Sequence, residues 1–394
     1  MRITNKFRIY PGKRQAERLE FTLDKCRLVY NKLLEKLQKE KEIPKFQLQH
    51  YIIELRKEHP ELGEVYARVL QYEHYKLFSN LTALSRLKKN GRKIGRLRFK
   101  GKDWFKTFTY NLAGFALVKK GRKTGKISLS KIGVIPLKAH REISGRIKQV
   151  TVKKSAAGKW YVLVITEEKE FKPQMREPVK KVGVDLGIKH FAFDSEGNSF
   201  EHPRNLTKNS AKTAKLQRRL RRHMKGSNNW LKARIKLAKQ YEKTLNQRND
   251  FLHKVSTYYV RNYGLIAVEK LDIKALVMNS HNARNIADSA WSRFSSLLEY
   301  KAERAGVRVV KVDPKGTTQV CSNCGRTGHK ELWNRVHECE CGLKIDRDFN
   351  SAREILKRAL RQELPEFTPA ETEPLPARAS LVEEAGNSNK SSSR

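Results

Sequence analysis

The spacing of apolar and polar positions changes period several times along the chain, and each change marks an element boundary. The opening Ile3-Thr4-Asn5-Lys6-Phe7-Arg8-Ile9-Tyr10 alternates apolar with polar and stops at Pro11-Gly12, which predicts a half-buried strand ended by a turn. From Arg14 to Ile43 the period lengthens. Leu19, Leu23, Cys26, Tyr30, Leu33, Leu34 and Leu37 recur at helical spacing, which puts Cys26 on a buried face. A second helical segment runs from Glu64 to Leu87. Between Leu97 and Glu170 short β-like runs return, among them Thr107-Phe108-Thr109-Tyr110, Lys126-Ile127-Ser128-Leu129 and Lys159 to Ile165, separated by glycine-containing turns. A small β-barrel completed by the first strand accounts for these runs, with the helices at 14–95 as an insertion. Lys172-Pro173 to Pro178 reads as a linker into a new domain.

Beyond the linker, three acids fall where predicted elements end. Asp185 follows the apolar Val182 and Val184, after which Leu186 to Ala192 turns into a second strand and Asp194-Ser195-Glu196-Gly197-Asn198 into another turn. Glu269 ends the apolar run Gly264-Leu265-Ile266-Ala267-Val268. Asp348 lies in Asp346-Arg347-Asp348-Phe349-Asn350, just before the helical pattern Ala352 to Leu360. Three strands, a helix, a strand bearing the second acid and a late helix bearing the third is the element order of an RNase H-like fold. Three clustered carboxylates repel one another, so the set makes physical sense as a cradle for Mg²⁺, which prefers hard oxygen ligands. Two such ions about 4 Å apart can activate water and stabilise the leaving oxygen of a phosphodiester.

Four of the five cysteines share one short window, as Cys321-x-x-Cys324 and Cys339-x-Cys341, whereas Cys26 stands alone. That clustering points to a structural zinc site in a reducing compartment rather than to a disulfide framework. The single residue inside the second pair is short for a zinc knuckle and leaves His337 as an alternative ligand; His329 lies in the same loop.

Charge then names the partner class. The chain carries 84 Lys and Arg against 41 Asp and Glu, a formal +43 on 394 residues, and such a field selects polyanions. With no apolar run of about 18 residues, and with Met1-Arg2-Ile3 entering a strand pattern directly, neither a membrane span nor a secretory leader is expected. Nucleic acid is the expected partner. The densest basic stretch, from Lys208 to Asn262, includes Arg218, Arg219, Arg221, Arg222 and Lys225 with almost no acidic partners before Glu242, so phosphate is expected to neutralise it. The segment 363–394 is rich in Pro, Glu and Ser and reads as a disordered tail.

Several motifs resemble the TnpB family of insertion-sequence nucleases: Gly183-Val184-Asp185-Leu186-Gly187-Ile188, Ile286 to Trp291 leading to Tyr300-Lys301-Ala302, Thr318-Gln319-Val320-Cys321-Ser322-Asn323-Cys324-Gly325, and Asp346-Arg347-Asp348-Phe349-Asn350-Ser351-Ala352. Tyr10-Pro11, Gln15, Arg27, Tyr30-Asn31 and Arg248 to Lys254 extend the resemblance over nearly all of the chain to residue 360. It implies an α+β multidomain fold: a wedge-like β-barrel at 1–13 and 96–172, a helical recognition domain at 14–95, a RuvC-like nuclease domain at 178–314 and 344–362, and a zinc-bearing, target-binding insertion at 315–343. It further implies a guide RNA, a double-stranded DNA target cut beside a short flanking motif, catalytic acids at Asp185, Glu269 and Asp348, and zinc on the four cysteines. A cytoplasmic monomer bound to RNA, in a bacterium or archaeon, is the corresponding expectation. Ser351, where the family often has Ala, and the short Cys-x-Cys pair depart from its pattern.

Other readings share parts of this chemistry. A DDE transposase uses the same fold and metals but is expected to carry a DNA-end-binding module, which is not recognisable here. A tyrosine-dependent transposase needs a His-x-His triplet, which the chain lacks. A compact type V CRISPR effector differs mainly in genomic neighbourhood. A nuclease-inactive, RNA-guided repressor is expected to have lost an acid.

Overall fold

The chain begins as predicted, with a strand and then a long helix. In a computed structural model that describes residues 2–40, 43–102, 104–119, 121, 124–168, 180–279, 283–328 and 334–363, β1 (Arg2–Ile9) leads into α1 (Lys13–Lys39). There follow α2 (Lys45–Glu58), a 3-10 turn at Pro60–Glu64, and α3 (Ala67–Lys89). Cys26 is fully buried among Leu19, Leu23, Val29, Tyr30, Leu33 and the apolar faces of α2 and α3.

Six strands come next: β2 (Thr107–Asn111), β3 (Phe115–Lys119), β4 (Thr124–Leu129), β5 (Gly133–Lys138), β6 (Arg146–Lys154) and β7 (Trp160–Glu167). With β1 they form an antiparallel sheet in the order β2-β6-β7-β1-β5-β4-β3. Its two end strands, β2 and β3, are consecutive in the chain and joined only through 112–114. Seven strands laid flat would separate those ends by about 29 Å at about 4.8 Å per strand. So short a link reaches roughly half that. The sheet must therefore curl until its ends approach, and its inner face carries Phe7, Ile9, Phe108, Tyr110, Ile127, Ile135, Val150, Val152, Val162 and Val164 into one core with α1–α3.

The second unit is built on β8 (Lys181–Asp185), β9 (His190–Asp194) and β10 (Ser199–Glu201), then helices α4 (Asn205–Arg221) and α5 (Asn228–Asn262) and strand β11 (Leu265–Glu269). The basic stretch that reads as one helix in sequence is two, broken at Gly226, whose φ of 92° is left-handed. After β11 come α6 (Ile273–Asn279), α7 (Ala283–Ser289), α8 (Trp291–Ala305), β12 (Arg308–Val312), a small hairpin of β13 (Val336–Glu338) and β14 (Lys344–Asp346), and α9 (Arg347–Glu363). The sheet order is β10-β9-β8-β11-β12, with β8, β11 and β12 parallel and β9 and β10 antiparallel. Val182, Val184, Ile266 and Val268 face α5 and α8, while Leu265, Ala267 and Val312 face Ile355 and Ala359 of α9.

The expected linker at 172–178, His329, and the tail after Glu363 lie outside the described residues. Among the described residues no helix is long and apolar enough to cross a membrane.

Candidate active site and metal centre

Strand alternation brings the first two acids together. Residues 183 and 185 share one face of β8, and 265, 267 and 269 share one face of β11. Leu265 and Ala267 pack on α9, and Gly183 lies directly beneath it, so Asp185 and Glu269 project on the α9 side. Parallel pairing sets Val182 beside Ile266, Gly183 beside Ala267 and Val184 beside Val268, which leaves Asp185 and Glu269 as neighbours at the carboxyl ends of both strands. That is the edge where open α/β sheets place their sites.

The third acid comes from α9. A β-carbon on Gly183 would collide with the backbone of Ala352 and Leu356, so helix and strand touch main chain to main chain. This close approach holds the first turn of α9, and Asp348 within it, over the end of β8. The helix begins at Arg347, so Asp348 sits inside its first turn, where a carboxylate is favoured by the helix dipole, rather than just before it. The backbone N–H of Asp348 donates to Asp346 Oδ1 at 2.8 Å.

Asp185 stands within the fields of the other two acids. Burial pushes the Asp185 carboxyl well above the usual carboxylate range; Glu269 and Asp348 push it further and Arg347 pulls it back. Glu269 is raised by burial and eased by a hydrogen bond from the Thr317 hydroxyl, 2.5 Å from Glu269 Oε1, and by Arg358. Arg335 and Arg347 each place a guanidinium nitrogen 3.9 Å from Asp348 Oδ1. The carboxylates do not converge as tightly as the sulfurs described next: among the described residues only the cysteines form a set of three or more ligating atoms all within 4.8 Å.

Thr317 and Arg335 carry no sequence signal strong enough to single them out, because a lone threonine or arginine in a loop has no diagnostic spacing, and Arg347, the first residue of α9, stands inside the Asp346-Arg347-Asp348 motif without a role that the motif assigns to it. Arg358 extends the frame behind Thr317. Its guanidinium donates to the carbonyls of Asp313 and Lys315 at 3.0 and 2.7 Å and pairs with Glu354 at 2.9 Å, fixing the loop that presents Thr317.

Cys321, Cys324, Cys339 and Cys341 bring their sulfurs within 4.8 Å of one another and can together hold a metal ion. The short second pair fits because Gly342 takes a left-handed φ of 86° and the N–H of Cys339 donates to the Leu343 carbonyl at 3.0 Å, which curls the loop inside one residue's spacing. His337, the alternative ligand, is a buried residue of β13 outside that set.

The basic residues fall at the α4–α5 turn. Arg218, Arg219 and Arg221 end α4, Arg222 caps it, and Lys225 precedes Gly226; all are exposed, and Arg218, Arg219 and Arg222 line an open cleft of about 640 Å³ with Lys215 and His223.

The family model described as "Probable transposase" matches residues 161–280, the "Cas12f1-like, TNB domain" model matches 291–355, and a "Helix-turn-helix domain" model matches 1–42. Over the described part of that last range the structure has one strand and one long helix rather than two helices and a turn. The chain is 30% identical to the Escherichia coli K12 protein named "Putative RNA-guided DNA endonuclease InsQ", over 89% of this chain and 90% of that one. A Streptomyces pristinaespiralis protein, "Putative RNA-guided DNA endonuclease", is 31% identical over 90% and 89%. Among solved structures, a Cas12f1–sgRNA–target DNA complex superposes with a TM-score of 0.59 at 15% identity, covering 87% of this chain and 83% of that one, which bears on the fold alone and supports a RuvC-type multidomain architecture. The identity and coverage shared with the two bacterial proteins establish that the chain belongs to the TnpB family.

Proposed function

We propose that this protein is an RNA-guided DNA endonuclease that hydrolyses phosphodiester bonds at Asp185, Glu269 and Asp348. The observation that carries the reading is the placement of Asp185 and Glu269 at the neighbouring carboxyl ends of β8 and β11 with Asp348 in the first turn of α9, an arrangement in which the half-buried Asp185 carboxyl is pushed up by burial and by the other two acids. A cluster of half-buried, mutually repelling carboxylates is a poor structural device and a good cradle for hard cations. The donor set fits Mg²⁺, with the three acids as ligands. Two Mg²⁺, when bound, supply activation of the attacking water and neutralisation of the leaving oxygen. The chain's own groups do the remainder. Thr317 fixes one rotamer of Glu269 by hydrogen bonding, Arg358 holds the loop carrying Thr317, and Arg335 and Arg347 present positive charge beside Asp348, where a phosphate would otherwise meet only carboxylates.

The four thiolates suit Zn²⁺, which would be structural because a closed tetrahedral set leaves no open position. In this reading the insertion at 315–343 contacts the target, the curled sheet serves as the wedge-like barrel, α1–α3 form the recognition domain, and Arg218, Arg219, Arg221, Arg222 and Lys225 contact nucleic acid. A guide RNA and double-stranded DNA are the partners, and the working form is a monomer with RNA in the cytoplasm. A nuclease-inactive binder and a DDE transposase are disfavoured: all three acids are present, and no end-binding module is apparent among the described residues. The test is to purify the protein with co-expressed RNA, sequence that RNA, and challenge a plasmid library with randomised flanks in Mg²⁺. Guide-matched cutting beside one short flank supports the proposal; cutting without RNA overturns it.

A further inference from the structure

Trp104 is 84% exposed, the most exposed of the large apolar side chains in the described residues. Its display is not the accident of a loose loop. The backbone N–H groups of Trp104 and Phe105 both donate to the Gly101 carbonyl, at 3.0 and 3.2 Å, closing a tight turn. Phe105 is buried in the core, with the Lys76 ammonium 3.9 Å from its ring centroid. Anchoring one aromatic inward throws its neighbour outward.

The indole borders an open cleft of about 660 Å³ whose other described lining residues are Lys106, Thr107, Lys153 and Arg234, none of them a carboxylate. Lys106 and Arg234 also line an adjoining cleft of about 460 Å³ that adds Arg27, Lys102 and Lys154. The acids in that second cleft are already engaged, Asp24 by Arg27 at 2.8 Å and Glu20 by Lys154 at 2.5 Å. The clefts lie where the curled sheet meets α5, a junction fixed by the Tyr161 hydroxyl donating to Glu242 at 2.6 Å and by the Lys159–Glu242 pair at 3.1 Å. An aromatic face beside a line of cations, with apolar and charged parts both turned to solvent, matches a stacked base and its flanking phosphates.

We propose that Trp104 is a stacking platform for one unpaired nucleobase, with the neighbouring phosphates held by Lys106, Lys153 and Arg234. The inference rests on the RNA-guided reading and deepens it, since it assigns the junction between the two units to single-stranded nucleic acid. The base comes either from unpaired guide RNA or from unpaired DNA.

The test uses full-length protein stripped of nucleic acid, a short unstructured uridine RNA, and, with guide-loaded protein, a DNA target carrying an unpaired segment. Trp104→Ala should weaken binding of one of these by about ten-fold, Trp104→Phe should stay within about three-fold of wild type, and indole emission should be quenched on binding more strongly in wild type than in Trp104→Phe, which keeps the other four tryptophans. Lys153→Gln should lower the salt slope of the same equilibrium by about 0.7. Loss on RNA assigns the base to the guide, and loss only on guide-loaded protein assigns it to DNA. Unchanged affinity of Trp104→Ala in both arms overturns the proposal while leaving the RNA-guided reading intact. A fall in sedimenting mass of the bare protein on Trp104→Ala also overturns it, because the indole would then contact a second copy. Failure of wild type to bind either probe defeats the broader reading instead.

Discussion

The main chain of Ala352 in α9 occupies the space into which a β-carbon on Gly183 of β8 would project. That contact sets the height of α9 above the sheet, and so the position of Asp348 relative to Asp185. Gly183→Ala should therefore cost about 3 kcal/mol, at the upper end for overpacking, because backbone cannot rotate out of the way as a side chain can. Cleavage should fall with it. Gly63→Ala, with nothing near its added methyl, is the matched control. Thermal unfolding of the two variants side by side checks the difference.

The acids themselves should separate cutting from binding. Asp185→Ala, Glu269→Ala and Asp348→Ala are each expected to abolish Mg²⁺-dependent cleavage while leaving guide-directed DNA binding nearly unchanged. Asp185→Asn adds a sign that a merely structural carboxylate would not give. The folded-state carboxyl lies above its unfolded value, so ionisation at neutral pH costs stability, and the neutral amide should raise the melting temperature in EDTA. Equal melting temperatures at neutral pH would count against a strained charge there.

Thr317 is expected to act as a positioning residue through Glu269. Thr317→Val, which keeps the shape and loses the hydroxyl, should raise the Mg²⁺ needed for half-maximal cleavage by about 10- to 100-fold, the usual range for a group that orients a metal ligand. Thr317→Ser should restore it. Direct titration with Mn²⁺ gives the same comparison without cleavage, and identical midpoints for Val and Thr would remove Thr317 from the site.

How much of this was legible in sequence differs by element. The strands bearing Asp185 and Glu269 announced themselves as apolar runs with an acid at the end, and the strands of the curled sheet as alternating segments between glycines. Helix α2 did not. Its buried Leu48, Ile52 and Leu55 share the helix with exposed Phe46 and Ile53, which blurs the period. The break at Gly226-Ser227 is short and lies between two basic runs, up to Lys225 and again from Lys232, so the charge pattern resumes beyond it as if one helix continued. Periodicity places the start of α9 too late, since Asp348 is polar and joins the helix through its cap, the Asp346 carboxylate accepting from the N–H groups of Asp348 and Phe349. The cysteine set was readable from spacing, but its accommodation of Cys-x-Cys rests on the conformation of Gly342, which spacing cannot express.

Zinc should be found at about one ion per chain, and Cys321→Ser or chelation should loosen residues around 315–343 without displacing the carboxylates. His337→Ala should leave zinc content unchanged, because the four sulfurs already form a complete set; its cost should appear only as local destabilisation of a buried position. Metal analysis of both variants decides, and loss of zinc in His337→Ala would replace one cysteine in the assignment.

Glu73 offers a pH test remote from the site. It is fully buried on α3 with Lys76 3.3 Å away, and burial pushes its carboxyl up to about 7. Because the folded state holds the proton more tightly than the unfolded chain, stability should decline as pH rises from about 4.5 to 7, by up to about 3 kcal/mol at 1.36 kcal/mol per unit. Glu73→Gln should flatten that decline. Melting temperatures at pH 5 and pH 8 measure it, and an unchanged difference between them would show that Glu73 is not its source.

The most direct test of the central claim is double-strand cleavage of a flank-matched plasmid by wild type and Asp185→Ala, each with no RNA, the native guide and a guide of altered sequence. Wild type should cut only with RNA, move to a new site when the guide is changed, and require Mg²⁺. Asp185→Ala should bind at the same sites without cutting. Cleavage that persists without RNA, ignores the altered guide, or survives Asp185→Ala would contradict the account.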